Sequence, residues 1–210
     1  MLDSSRNVML ACALTALAGY VDAIGYLHLG GLFVSFMSGN STRLGVSLAA
    51  GDWRHGGAAF GLIVLFVMGA AAGSLVLQSR SRHRQPWLLS IETVLLTVSA
   101  LSYAFGWPLI AVAAIVLAMG LENAMFQIEG DGLGLTYITG ALVKAGQLIA
   151  AALTGGARLA WVPNLLLWAG LVVGAVLGAL AYHWINLAAI WFAAGFAFGL
   201  SGIVTVTAHR

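Results

Sequence analysis

Apolar residues come in long blocks along this chain, and short polar breaks separate them. The blocks run from about Val8 to Leu27, Gly57 to Gln78, Trp87 to Phe105, Pro108 to Gln127, Asn164 to Tyr182 and Ile185 to Val206. Each is near the ~20 residues that a helix needs to cross a hydrocarbon core, so each is predicted to be a membrane helix. The breaks are His28-Leu29-Gly30-Gly31, Gly51–Gly56, the basic run Ser79–Pro86, Gly106-Trp107-Pro108, Glu129-Gly130-Asp131-Gly132 and Thr154–Pro163. Pro108 cannot continue the preceding helix, so the chain turns there. Two blocks differ from the rest. Val34–Ala50 (VSFMSGNSTRLGVSLAA) and Leu135–Ala151 (LTYITGALVKAGQLIAA) are apolar on average but carry hydroxyls, glycines and one cation each.

These two blocks are the same block written twice. At an offset of 101 positions, Ser35 meets Thr136, Phe36 meets Tyr137, Ser38 meets Thr139 and Gly39 meets Gly140. Arg43 meets Lys144 and Gly45 meets Gly146, with no gap. The offset holds outside the blocks too. Gly19 to Ala23 (GYVDA) falls on Gly120 to Ala124 (GLENA), and Gly69 and Gly73 fall on Gly170 and Gly174. The chain therefore reads as two membrane repeats, 1–105 and 106–210, in a single integrated domain. The small-xxx-small glycine pairs predict close helix crossings between the halves.

Composition agrees with the pattern. Of 210 residues, 61% are hydrophobic and 8% charged, against about 25% charged in a soluble domain. Such a chain is expected to be a polytopic membrane protein. The net charge of +2 gives no footing for nucleic acid. Cys12 is alone and cannot form an internal disulfide. Arg6, the run from Val8 and Ala16-Leu17-Ala18 have the form of a short signal peptide. The run continues past Ala18, however, and aligns with the second copy.

Charge also bears on topology. If the polar blocks do not fully cross, each copy has three spans and the copies are inverted. If they cross, each copy has four spans and the copies are parallel. With Arg80, Arg82 and Arg84 placed in the cytoplasm, the six-span arrangement also puts Arg6, Lys144, Arg158 and Arg210 there. The eight-span arrangement puts Arg6, Arg54, Arg158 and Arg210 outside, whereas the six-span one leaves only Arg43 and Arg54 there. The positive-inside rule favours six spans. The expected fold is thus all-α: two inverted repeats of three transmembrane helices, each with one re-entrant or broken helix, in a bacterial inner membrane with both termini cytoplasmic.

The polar blocks hold the candidate chemistry. Ser38, Gly39 and Asn40 suit a helix start, and a helix N-terminus aims N–H groups and a positive dipole end at what precedes it. Arg43 follows within the first turns; Thr139, Gly140 and Lys144 repeat the plan. Broken helices at membrane depth are where inverted-repeat transporters hold substrate. The plainer reading is that Arg43 and Lys144 snorkel to the interface while small residues permit packing. Asp22 and Glu122 lie deep in apolar runs, with Asn123 the formal match of Asp22. An ionisable group there needs a partner or a function. The readings are ion pairs, Asp22 with Arg43 and Glu122 with Lys144, or a relay that couples transport. Glu92, near Trp87 and the basic run, is expected to pair at the interface. Tyr20 and Tyr137 flank the polar blocks as packing or as pocket walls. No HExxH, zinc-spaced Cys/His set, GxSxG or Walker motif is present, so neither an enzyme nor a metal or cofactor site is expected.

Gly19-Tyr20-Val21-Asp22-Ala23, then Phe33 and Ser38-Gly39-Asn40, resembles the signature of the YoaK-like family of bacterial integral membrane proteins. Glu122-Asn123-Ala124 and Tyr137-Ile138-Thr139-Gly140 extend the resemblance over nearly the whole chain. The usual family form of the first motif is Thr-Gly-Asn; Ser38 keeps the hydroxyl. The resemblance implies an inner-membrane protein of about six spans and supplies no substrate. The functional expectation is a small-solute transporter or channel with a central site between the two polar blocks. An anion would suit the site's cations, and a proton would suit its carboxylates. A non-transporting membrane scaffold or partner subunit is the alternative, followed by a membrane-embedded enzyme acting on lipid through Asp22 and Glu122. The oligomeric state is open.

Overall fold

The computed structural model describes residues 5–78, 84–124 and 138–208. Among these the chain is helical, with no strand. Its helices are α1 (Ser5–His28), α2 (Met37–Ala49), α3 (Trp53–Gln78), α4 (Arg84–Ala104), α5 (Pro108–Ala124), α6 (Ile138–Leu153), α7 (Val162–Ile185) and α8 (Ile190–Ala208). A 3-10 turn, Asn186–Ala189, joins the last two. The break expected at Glu129–Gly132, and Tyr137, lie outside the described residues.

The ends of the helices follow from local chemistry. After α1 the backbone turns at Gly30 and Gly31, both at positive φ (63° and 102°), where a side chain is disfavoured. Pro108 opens α5, a position that needs no N–H. The α7–α8 break lies at Asn186, with φ at 53°; asparagine tolerates this region better than most residues.

Four stretches are long and apolar enough to cross a membrane: Val8–His28, Trp53–Gln78, Gln85–Ala104 and the 45-residue stretch Val162–Val206, which holds α7, the 3-10 turn and α8. The polar blocks form shorter helices. α2 has 13 residues and α6 has 16, or about 20 and 24 Å at 1.5 Å per residue. α2 falls short of the ~30 Å hydrocarbon core, and the figure for α6 covers only its described residues, which begin at Ile138.

Glycines set the main contacts. Gly170, Gly174 and Gly178 of α7 lie against the backbone of Cys12, Ala16 and Tyr20 of α1. The order rises together on both helices, so α1 and α7 run parallel. Gly69 and Gly73 of α3 lie in the same way against Leu117 and Leu121 of α5, and Gly120 lies against Phe66. The expected crossings between residues 1–105 and 106–210 are therefore present, with small residues letting backbones touch. α8 packs antiparallel to α4, where Ser90 Oγ meets Ser201 Oγ at 3.0 Å. α2 packs on α3 and α6 on α7; α2 and α6 do not touch each other among the described residues.

Candidate functional site

The stretch between α1 and α3 is fixed by two side chains. Asp22, on α1, accepts hydrogen bonds from the backbone N–H of Val34 and of Ser35, each at 2.8 Å. Asn40, fully buried on α2, grips the Phe33 peptide from both sides. Its Oδ1 accepts from Phe33 N–H at 2.9 Å and its Nδ2 donates to Phe33 C=O at 2.7 Å. The 33–36 backbone has no helix or sheet to satisfy it, so these side chains take the partner role that buried peptide groups require. Phe33 packs between Tyr26, tilted at 4.9 Å, and Phe36, edge-on at 5.2 Å. Gly39 leaves the room that the Phe33 and Phe36 rings fill.

Two expectations change here. Asp22 does not pair with Arg43; it holds the loop backbone instead, because two N–H donors reach it directly. α2 begins at Met37 with no side-chain cap, so Asn40 serves as a clamp four residues in rather than as a helix cap.

Beyond the clamp, Leu29, Thr42, Arg43, Ser47, Asp52 and His55 are among the residues that line a cavity of about 400 Å³ that is half open to the surface. The chain thus leaves α1 and enters α3 at the same end of the bundle. The Arg43 guanidinium lies over Gly31, where a Cβ would collide with it. Arg43 is exposed and makes no ion pair among the described residues. Asp52 is engaged elsewhere. Its carboxylate accepts from His55 N–H at 3.1 Å and contacts His55 Nδ1 at 2.6 Å. The His55 backbone N–H, then its imidazole, hold the Asp52 carboxyl below the usual carboxylate range.

At this same end His28 sits edge-on to Tyr103 (6.1 Å) and Tyr182 (6.2 Å), so α1, α4 and α7 all finish there. Tyr20 Oη donates to Ala189 C=O at 3.0 Å, tying α1 to the 3-10 turn. Because α5 is parallel to α3, and α7 to α1, α5 ends and α7 begins at the opposite end of the bundle.

In the second half, Thr139 and Lys144 are exposed on α6 and Gly140 is half-buried. Asn123 is buried and donates from Nδ2 to Met119 C=O at 2.8 Å. Glu122 is fully buried on α5. So is Glu92 on α4, which corrects the interfacial role expected for it. Glu92 lies on the stripe Leu88-Glu92-Leu96-Ser99, all at 0% exposure, which faces the other helices. Glu92 and Glu122 sit on adjoining helices, and none of their four oxygens has a hydrogen-bond partner among the described residues. Lys144 does not reach Glu122. The described residues contain no group of three His, Cys, Asp or Glu able to hold a metal ion.

Residues 10–203 match the family described as "Protein of unknown function (DUF1275)". The chain is also 38% identical over 189 residues to a UPF0700 transmembrane protein of Rhizobium meliloti (strain 1021), covering 90% of this chain and 81% of that one. No solved structure matches. With apolar stretches long enough to cross a bilayer and a transmembrane relative aligned along most of its length, the chain is a membrane protein and belongs to the DUF1275 family.

Proposed function

We propose that the protein is a small-solute transporter or channel of the bacterial inner membrane, built as two inverted three-span repeats with both termini cytoplasmic. α2 and α6 are its re-entrant helices, entering from opposite faces. The length of α2, short of a full crossing, supports this. So does the meeting of residues 29–32 with 52–55 around one cavity.

The observation that carries the solute reading is that cavity. It is lined by a polar half-length helix whose Arg43 is uncompensated while the neighbouring Asp52 is held by His55. Irregular backbone at membrane depth belongs beside protein or water-filled space. A free guanidinium with the Ser47 hydroxyl nearby suits a small anion; the Thr42 hydroxyl already donates to Ser38 C=O at 3.2 Å. By the repeat, Lys144, with Thr139, Gly140 and Tyr137, serves the same solute from the other face, and Ser38 and Gly39 shape the entry. Flux of labelled chloride, phosphate, sulfate and acetate into proteoliposomes tests this. At least one anion should enter faster than into protein-free vesicles, and Arg43→Gln should abolish the difference while the protein stays folded. Equal flux in wild type and protein-free vesicles for all four ions, or undiminished flux in Arg43→Gln, would contradict it.

One observation favours a second reading, a non-transporting scaffold or partner subunit. Asp22 and Asn40 spend their polar atoms on the loop backbone rather than on the cavity. On that reading the same flux screen is blank for every ion.

A further inference from the structure

We propose that Glu92 and Glu122 form a proton-binding site: two facing carboxyl groups between α4 and α5 that share a bound proton. The site is built, not incidental. Glu92 projects from the buried stripe of α4, between Leu88, Leu89 and Leu96, and Glu122 from α5 beside Leu121 and Ala124. Leu14 of α1, Leu77 of α3 and Val204 of α8 join Leu88, Leu89, Leu121 and Ala124 in one apolar cluster. All four carboxyl oxygens are buried and meet no donor among the described residues.

Two carboxylates cannot stand side by side in such a layer without compensation. Each isolated ion costs several kcal/mol to desolvate, and like charges add repulsion. The basic residues of the packed helices stand at helix ends rather than in the apolar layer's stretch of sequence: Arg6 and His28 on α1, Arg54 and His55 on α3, Arg84 on α4. Beyond the pair itself, the titratable side chains of α4 and α5 are Arg84 and Tyr103. α3 carries only Arg54 and His55, at its other end, and α8 and the 3-10 turn carry none. α1 contributes Arg6, Cys12, Tyr20, Asp22, Tyr26 and His28, of which Asp22 is occupied by Val34 and Ser35. A proton on one carboxyl removes the like-charge repulsion and converts the pair into a donor and an acceptor.

The pair lies toward one face. Glu92 is about 12 Å along α4 from its start, at the end opposite the Arg43 cavity. A proton held there is available to drive a solute. That role rests on the transport reading, whereas the binding does not.

The purified protein can be treated with dicyclohexylcarbodiimide, which adds to a protonated carboxyl. The acid proton goes to a carbodiimide nitrogen, the carboxylate oxygen bonds to the central carbon, and rearrangement leaves a stable N-acylurea. Peptide mass spectrometry should place the adduct on Glu92 or Glu122, with the label lost as pH is raised. A carboxyl C=O infrared band shifted by deuterium oxide should disappear in the Glu92→Gln/Glu122→Gln variant. Absence of both adduct and band in folded wild-type protein would overturn the proposal. So would protection from the label by sodium at fixed pH, which would assign the pair to a metal cation. Neither readout needs a solute, so a blank flux screen leaves this result standing on its own.

Discussion

Asn40 shows how one side chain can set the path of a chain through a bilayer. Its amide satisfies both the N–H and the C=O of Phe33. Asn40→Ala leaves both buried groups unpaired and is expected to cost about 2–5 kcal/mol, read as a lowered thermal midpoint in detergent. Asn40→Asp keeps the acceptor but sets a buried carboxylate oxygen against Phe33 C=O, so at neutral pH it should destabilise at least as much. The glycines give a matched test. A Cβ at Gly174 would meet Ala16 C=O, whereas one at Gly45 meets nothing within 4 Å. Gly174→Ala should destabilise by about 1–3 kcal/mol through overpacking. Gly45→Ala should leave stability unchanged or raise it by up to about 1 kcal/mol through helix propensity. The sequence picked out Asn40 by its place in a polar run, yet could not say which way its amide faces. Nothing in Ser-Gly-Asn separates a solute ligand from a clamp on the residue seven positions earlier. Glu92 was misread for a related reason. In a soluble helix its spacing from Leu88, Leu96 and Ser99 would mark a buried face. In α4 the outward side is apolar too, with Val94 and Trp87 exposed, so periodicity carries no direction.

The elements were more legible than the side chains. Apolar blocks with glycine and proline breaks located the helices to within a few residues, because the bilayer's thickness dictates their length. The α7–α8 boundary moved by a few residues, since Asn186 rather than a glycine makes the turn. α3 starts on a cap that is itself testable. The His55 backbone N–H and imidazole hold the Asp52 carboxyl below its ordinary range. The cap is therefore fully present above the unfolded carboxyl's value of about 3.9 and is lost as pH falls through the lower folded value. Asp52→Ala should lower the thermal midpoint at neutral pH, and the gap from wild type should close on acidification. Asp52→Asn, still a good cap, should retain most of the stability and lose the pH dependence.

For the whole molecule, the repeat at an offset of 101 was visible in the chain, and so was its consequence that the halves meet through glycines. Which partner each helix takes was not. α1 lies on α7 and α3 on α5, an exchange that no local pattern encodes because every lipid-compatible face is equally apolar. The same packing makes α1 run with α7 and α3 with α5, and brings both ends of the 29–52 segment to one end of the bundle. Inverted repeats with two half-crossing helices are the account's central claim, and single-cysteine labelling in intact cells tests it most directly. In a Cys12→Ser background, a membrane-impermeant maleimide should label Arg54→Cys and Trp107→Cys from outside. It should reach Arg158→Cys only after the membrane is opened. If all three positions label from the same face, the polar blocks cross completely, the copies are parallel, and the account fails.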